Sequence, residues 1–142
     1  MSTTGNSLVL AAATLVLLTF AVAVRMYVMR VREMKMERIH PQAVALSAEK
    51  TARLKDTRAS DNYNHLFELP VLFYALCAIA LAIERVPGWL AIGAWVFVAS
   101  RIVHSLIQCT TNRVMHRLAA FAFGLVVLFG LWVGFAWTAL TA

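Results

Sequence analysis

The stretch LAAFAFGLVVLFGLWVGFAWTAL, residues 118–140, contains no charged side chain. A helix needs about 20 apolar residues to cross the hydrocarbon core of a bilayer, so this stretch is long enough to span it once. The rest of the chain is similar, because 61% of its 142 residues are hydrophobic and its mean hydropathy is +0.74. A soluble domain of this size could not bury so much apolar surface. The sequence therefore predicts an integral membrane protein.

Three further segments are also apolar enough to cross the membrane. The predicted spans cover residues 8–29, 63–83, 89–109 and 115–140. Pro87 and Gly88 are expected to separate the second span from the third, because both residue types interrupt helices. No basic residue precedes the first span, so we expect it to be a retained helix rather than a cleaved signal peptide. The predicted fold is a single all-α domain, a bundle of four membrane-spanning helices.

Lysine and arginine are concentrated in two of the connections. The predicted loop 30–60 contains most of them, and Arg113 and Arg117 follow the third span, whereas the second connection has only Arg85. Basic loops remain in the cytosol, so both termini are expected on the opposite, non-cytosolic side. Residues 43–58 fit either an amphipathic surface helix or a solvated charged segment. Membrane orientation thus accounts for the net charge of +6, and no nucleic-acid motif or metal-ligand spacing accompanies it.

Polar side chains cluster at the cytosolic ends of the predicted helices. Ionisable residues inside membrane spans are costly and are commonly functional. Spacings of three and four residues place Arg101, His104 and Gln108 on one stripe of the third span. If Glu68 is buried it needs a partner, which Arg101 or Arg117 could supply. The remaining positive charge predicts a site for an anionic ligand that carries carboxylates or a thiolate.

The same polar residues also fit a structural interpretation. Polar side chains in membrane bundles often form hydrogen bonds between helices. Arginines near a helix end can extend to lipid headgroups, and this explanation fits Arg113 and His116 best. Asn64 and Glu68 share a helix face at a spacing of four, as do Arg113 and Arg117. Composition and spacing therefore leave both interpretations open.

Several of these residues belong to recognisable motifs. NHLFELPVLFY, residues 64–74, resembles the second-helix signature of the MAPEG family, the membrane-associated proteins in eicosanoid and glutathione metabolism. RIVHS at 101–105, followed by Asn112, Arg113 and Arg117, resembles the signature of the third and fourth helices. RMYV at 25–28 is similar to the end of the first helix of the family. The resemblance covers nearly the whole chain, and the bacterial branch is the most similar.

The resemblance implies a homotrimer of four-helix subunits in the bacterial inner (plasma) membrane, with glutathione bound between subunits on the cytosolic side. By position, it implies that Arg117 is the catalytic residue that stabilises the glutathione thiolate. The residues for which it implies glutathione binding are Asn64, Glu68, Arg101, His104, Gln108 and Arg113. Two features differ from the family. Gln108 occupies a position where several active members have tyrosine, and the Asn64–Glu68 spacing is four where characterised eukaryotic members have three.

Three functions are compatible with these observations. The favoured one is a glutathione-dependent transferase or peroxidase that acts on small lipophilic electrophiles entering from the bilayer. The second is a non-catalytic protein that keeps the trimeric scaffold and binds a small anion, a lipid or a partner. A transporter or channel is least favoured, because the non-cytosolic halves of the spans lack a polar path and no span is interrupted by paired Gly and Pro.

Overall fold

The computed structural model describes residues 2–45 and 54–141, and these residues form helices and turns without a strand. The α-helices in this part of the chain are α1 (Thr3–Met36), α2 (Arg58–His65), α3 (Leu69–Ala82), α4 (Gly88–Cys109) and α5 (Val114–Leu140). A short 3-10 turn, Pro41–Val44, follows α1. The prediction of an all-α protein is confirmed for the described residues. Residues 46–53 of the predicted surface segment 43–58 lie outside them.

Four helical segments in this part of the chain are long and apolar enough to cross a membrane. They are α1, the combined α2–α3 segment Arg58–Ala82, α4 and α5. Large apolar side chains project from the outside of the bundle, and Phe20, Phe129 and Trp137 are each at least 65% exposed. Lipid is the solvent that suits such a surface. The prediction of four membrane-spanning helices in an integral membrane protein is confirmed at this level.

The second membrane segment is interrupted at residues 66–68. Pro70 has no N–H to donate to the carbonyl of Leu66, so the regular helical ladder cannot continue through it. Glu68 departs from helical geometry, with φ −94° and ψ −95°. Turn-type hydrogen bonds replace the ladder, and the N–H of Glu68 donates to the carbonyl of His65 at 3.3 Å. The interruption separates the short polar helix α2 from the apolar helix α3.

The apolar core lies between the four membrane segments, and α4 is at its centre. Phe73 of α3 stacks on Phe97 of α4, with the ring centroids 4.9 Å apart. Gly93 of α4 lies against Leu131 of α5 so closely that an added Cβ would collide with the leucine side chain. Such close packing is typical of small residues between membrane helices. Because α4 is central, any polar stripe on it faces protein as much as lipid.

Two arginines hold the C-terminal end of α4. The last carbonyls of a helix lack partners within the helix. Arg25 of α1 donates to the carbonyl of Cys109 at 2.6 Å, and Arg58 at the start of α2 donates to the carbonyl of Thr110 at 2.9 Å. These contacts join the end of α1, the start of α2 and the end of α4. We call this end of the bundle, where α5 also begins, the polar end.

Candidate functional site

The predicted stripe on α4 is buried inside the subunit. Arg101 is 2% exposed, His104 is 3% exposed and Gln108 is fully buried. Their spacing of three and four residues places them on one helical face, and the central position of α4 turns that face towards α2 and α5. The structure therefore brings these three predicted site residues together.

Arg101 is held between α4 and α5 by backbone and aromatic groups. Its Nη2 donates to the carbonyls of Ala120 and Phe121 at 3.0 Å and 3.3 Å. The guanidinium carbon lies 5.5 Å and 5.3 Å from the ring centroids of Phe97 and Phe121, within the range of cation–π attraction. Among the described residues, no carboxylate lies within ion-pair distance of Arg101. That part of the chain therefore gives Arg101 no direct ion pair.

His104 and Gln108 carry buried polar atoms that have no partner in the described part of the chain. His104 Nδ1 lies 3.2 Å from the carbonyl oxygen of Arg117. A carbonyl only accepts, so Nδ1 carries the proton and Nε2 carries the lone pair. That Nε2 atom and both amide atoms of Gln108 are buried without a hydrogen bond. Since buried polar atoms are nearly always paired, the atoms that His104 and Gln108 do not share with each other are available to water or a ligand.

A second polar cluster links α2 to α4, and the sequence analysis did not single it out. The hydroxyl of Ser105 donates to Asn62 Oδ1 at 3.2 Å, and Asn62 Nδ2 donates to the sulfur of Cys109 at 3.3 Å. Asn62 is fully buried and Ser105 is 3% exposed. Helical spacing was the available signal, because Ser105 lies four residues after Arg101 and shares its stripe.

Glu68 is at the surface of the subunit. Its carboxylate lies 3.0 Å from His65 Nδ1, and the side chains of His65 and Glu68 are 32% and 51% exposed. In the single subunit Glu68 is therefore not buried and forms no ion pair with Arg101 or Arg117. The reason is local, since Glu68 lies in the interruption before Pro70 rather than on a continuous helical face. His65 connects this surface pair to the buried stripe, because its ring packs edge-on against His104 at 5.7 Å.

Arg117 lies in the first turn of α5 and is partly buried. Its Nη1 donates to Asn112 Oδ1 at 3.0 Å, and Asn112 adopts φ 47° in the turn before α5, a conformation that asparagine tolerates better than most residues. This contact fixes the guanidinium, and the carbonyl of Arg117 is the acceptor for His104. Arg113 precedes α5 and its side chain is exposed. The structure thus joins Arg117 to the stripe and leaves Arg113 outside it.

Asn64 is exposed and faces a polar cleft rather than the stripe. This cleft of about 590 Å³ lies between the end of α1 and α2, and its lining includes Arg30, Glu33, Asp56 and Asp61. Arg58 pairs with Asp56 at 2.7 Å and lowers the pKa of that carboxyl through its hydrogen bond. Asn64 therefore shares α2 with His65 but not the surroundings of Arg101.

Comparison with known proteins identifies the family of the chain. The model of the MAPEG family matches residues 8–137 of the 142-residue chain. The chain belongs to the MAPEG family. No curated protein and no solved structure matches it significantly. MAPEG membership indicates a membrane protein with a glutathione-related transferase, peroxidase or related function, and members of this family generally use glutathione.

The residues of this MAPEG protein fit the chemistry of glutathione. Glutathione carries carboxylates, an ammonium group and a thiol, so it needs both cationic and anionic partners. Arg101 supplies a guanidinium with no carboxylate partner among the described residues, and Glu68 supplies an exposed carboxylate. The buried His104 Nε2 and Gln108 amide supply unused hydrogen-bonding atoms.

Proposed function

We propose that the protein is a membrane-bound, glutathione-dependent transferase or peroxidase acting on small lipophilic electrophiles. The observation that carries the proposal is the buried Arg101, which forms no direct ion pair with any described carboxylate. It lies on one stripe with His104 and Gln108, whose unpartnered atoms are also buried. An excess of buried positive charge with free hydrogen-bonding atoms suits a peptide that carries carboxylates.

In this proposal Arg117 is the catalytic residue. Bound glutathione supplies the sulfur nucleophile. The guanidinium of Arg117, fixed by Asn112 at 3.0 Å, favours the thiolate over the thiol because a nearby fixed cation stabilises a negative sulfur. Glu68 and Asn64 bind the ammonium and amide groups of the tripeptide, and Arg101 and Arg113 bind its carboxylates. His104 and Gln108 complete the hydrogen bonds.

The proposed assembly is a homotrimer in the bacterial inner membrane, with the polar end in the cytosol and both termini on the other side. Asn64 and Glu68 are exposed, whereas Arg101 and Gln108 are buried in the same subunit. These groups do not share one cleft of a single subunit. We therefore assign the completion of the site to a neighbouring subunit, and the lipophilic substrate enters from the bilayer.

The test is glutathione-dependent turnover by protein purified in detergent, with a panel of aromatic and unsaturated electrophiles and lipid hydroperoxides. Arg117→Ala is expected to lower kcat/KM at least about tenfold, the factor produced by about 1.4 kcal/mol of lost transition-state stabilisation. Arg85→Ala is the matched control, because Arg85 is an exposed arginine in the turn between α3 and α4, away from the polar end. Folded protein without thiol-dependent turnover on any member of the panel contradicts the proposal.

One observation favours a second candidate, a non-catalytic MAPEG scaffold that binds a small anion or a lipid headgroup. Gln108 is fully buried and Arg101 is 2% exposed, so neither side chain reaches the surface of the subunit directly. Hydrogen bonds within the subunit are a structural use for such residues. Thermal stabilisation by anionic lipid, together with indifference to glutathione, favours this candidate over the enzyme.

A further inference from the structure

His65 and Glu68 form a carboxylate–imidazole pair at the polar end. His65 Nδ1 lies 3.0 Å from Glu68 Oε2. An ionised carboxylate can only accept, so His65 Nδ1 donates, and in the neutral form of the imidazole Nε2 then carries the lone pair. The two side chains are 32% and 51% exposed, which leaves them accessible to a ligand. In the described part of the chain, Nε2 of His65 forms no hydrogen bond.

The surroundings of His65 connect it to the proposed site. Its ring packs edge-on against His104 of α4, at 5.7 Å and 90°, and against Phe121 of α5 at 6.0 Å. His104 in turn donates to the backbone carbonyl of Arg117. The titratable groups that contact His65 are therefore Glu68 on its own segment and His104 on α4, and His104 links it to the backbone of Arg117 on α5.

A thiol needs a proton acceptor as well as a cation before it becomes a nucleophile. Arg117 stabilises a thiolate but cannot accept the proton, because a guanidinium in a protein stays protonated. His104 has a free Nε2, but this atom is buried. His65 is the accessible imidazole beside the stripe, and imidazole is the side chain that exchanges protons near neutral pH.

We propose that His65, oriented by Glu68, is the general base that accepts the proton of the glutathione thiol. This inference rests on the proposed function. The S–H bond breaks, the proton moves to His65 Nε2 and the electron pair stays on sulfur. The thiolate then forms a C–S bond with the electrophile while the bond from that carbon to its leaving group breaks. The proton passes from His65 Nε2 to the leaving group. Glu68 keeps its second carboxylate oxygen for the tripeptide.

The experiment separates proton transfer from binding. His65→Gln is compared with wild type and with His116→Gln, an exposed histidine of α5. Stopped-flow ultraviolet absorbance measures the rate at which bound glutathione forms its thiolate, over a range of pH. Calorimetry measures binding of S-methylglutathione, which has no thiol proton. His65→Asn is a second variant, because this amide also lacks a basic nitrogen.

The inference predicts that His65→Gln and His65→Asn form the thiolate about 100-fold more slowly near neutral pH. This factor is the lower end of the rate enhancement that a general base usually provides. Both variants still bind S-methylglutathione within about twofold of wild type, which also shows that they are folded. The deficit shrinks as pH rises, because hydroxide then takes the proton. His116→Gln behaves like wild type.

Thiolate formation at the wild-type rate in both His65 variants overturns the inference and leaves the proposed function intact. If wild-type protein binds neither glutathione nor S-methylglutathione, the proposed function fails and the inference fails with it. If the His65 variants lose binding of S-methylglutathione to the same extent as thiolate formation, His65 is a binding residue and the assignment as base is wrong.

Discussion

Gly124 of α5 determines where the guanidinium of Arg101 can lie. A Cβ at this position would be 2.7 Å from Ser100 Oγ and 2.9 Å from Arg101 Cζ. The missing side chain lets Arg101 reach the backbone carbonyls of α5, which accept its hydrogen bonds. Gly130 is on the same helix, and an added Cβ there meets no described atom within 4 Å. The two glycines therefore have different structural roles.

Gly124→Ala is expected to lower the free energy of unfolding by about 1–3 kcal/mol, because Arg101 and Ser100 must move to make room. Gly130→Ala is the matched control and is expected to leave stability unchanged or slightly increased, since alanine favours helix. Thermal unfolding of both variants in detergent measures the difference. Equal stability of the two variants would show that Arg101 is not confined by α5.

The pairing of Asp56 with Arg58 should contribute to the stability of the protein in a way that depends on pH. Its hydrogen bond with Arg58 holds the pKa of Asp56 below the ordinary aspartate value of 3.8. A depressed carboxyl pKa stabilises the fold above the unfolded value, and this contribution is lost as pH falls through the folded value. The Tm difference between wild type and Asp56→Asn should therefore be present near neutral pH and should disappear in that acid range.

The control for this pH series is Asp61→Asn, since Asp61 has no ion-pair partner among the described residues. Its Tm difference from wild type is expected to be smaller near neutral pH. A difference for Asp56→Asn that persists unchanged far below the ordinary aspartate value would contradict the proposed origin in the Arg58 pair.

At the scale of helices, the polar end depends on how α4 terminates. Arg25 and Arg58 donate to the carbonyls of Cys109 and Thr110, so α1 and α2 are both fastened to the end of α4. A guanidinium at a helix C-terminus also interacts favourably with the helix dipole. The last turn of α4, which contains Gln108, is thereby held in place.

Arg25→Ala is expected to destabilise the protein by about 1–3 kcal/mol, because the carbonyl of Cys109 loses its side-chain donor at the end of the helix. Arg32→Ala is the matched control on the same helix, since Arg32 is exposed and the described structure gives it no ion pair. Chemical unfolding in detergent measures both. A larger effect from Arg32→Ala would refute the capping role of Arg25.

The number and type of helices could be predicted from sequence because length and apolar content determine whether a segment spans a bilayer. The interruption at residues 66–68 was not predicted, although Pro70 was visible. A proline near the start of a helix is compatible with both an unbroken helix and a new helical start. The non-helical backbone angles of Glu68 show that a new helix starts here. Amino-acid composition does not reveal such angles.

The site was only partly predictable, because helical spacing shows which residues share a face but not whether that face is buried. Spacing placed Arg101, His104 and Gln108 on one face of a helix, and the structure shows that face buried in the subunit. Sequence could not tell whether Glu68 is buried, because membrane helices are apolar on both their lipid-facing and protein-facing sides. The buried cluster around Asn62 was missed, since the partners in α4 are remote in sequence.

At the scale of the whole molecule, the proposed orientation places Ser2 outside the cytosol and Lys35 within it. Variants with one added cysteine, Ser2→Cys and Lys35→Cys, test this with a membrane-impermeant maleimide added to sealed right-side-out vesicles. Ser2→Cys is expected to react and Lys35→Cys to stay protected until the vesicles are opened, as the excess of basic residues near Lys35 predicts. The native Cys77 and Cys109 are buried, which limits background labelling. Labelling of Lys35→Cys and protection of Ser2→Cys would show the opposite orientation.

The central claim is a glutathione site at the polar end, and calorimetry of glutathione binding to the detergent-purified protein tests it most directly. The account predicts micromolar to millimolar binding that Arg117→Ala and Glu68→Ala each weaken at least about tenfold, a loss of about 1.4 kcal/mol. Arg85→Ala should bind like wild type. Absence of binding by folded wild-type protein, or equal binding by all of these variants, would contradict the account.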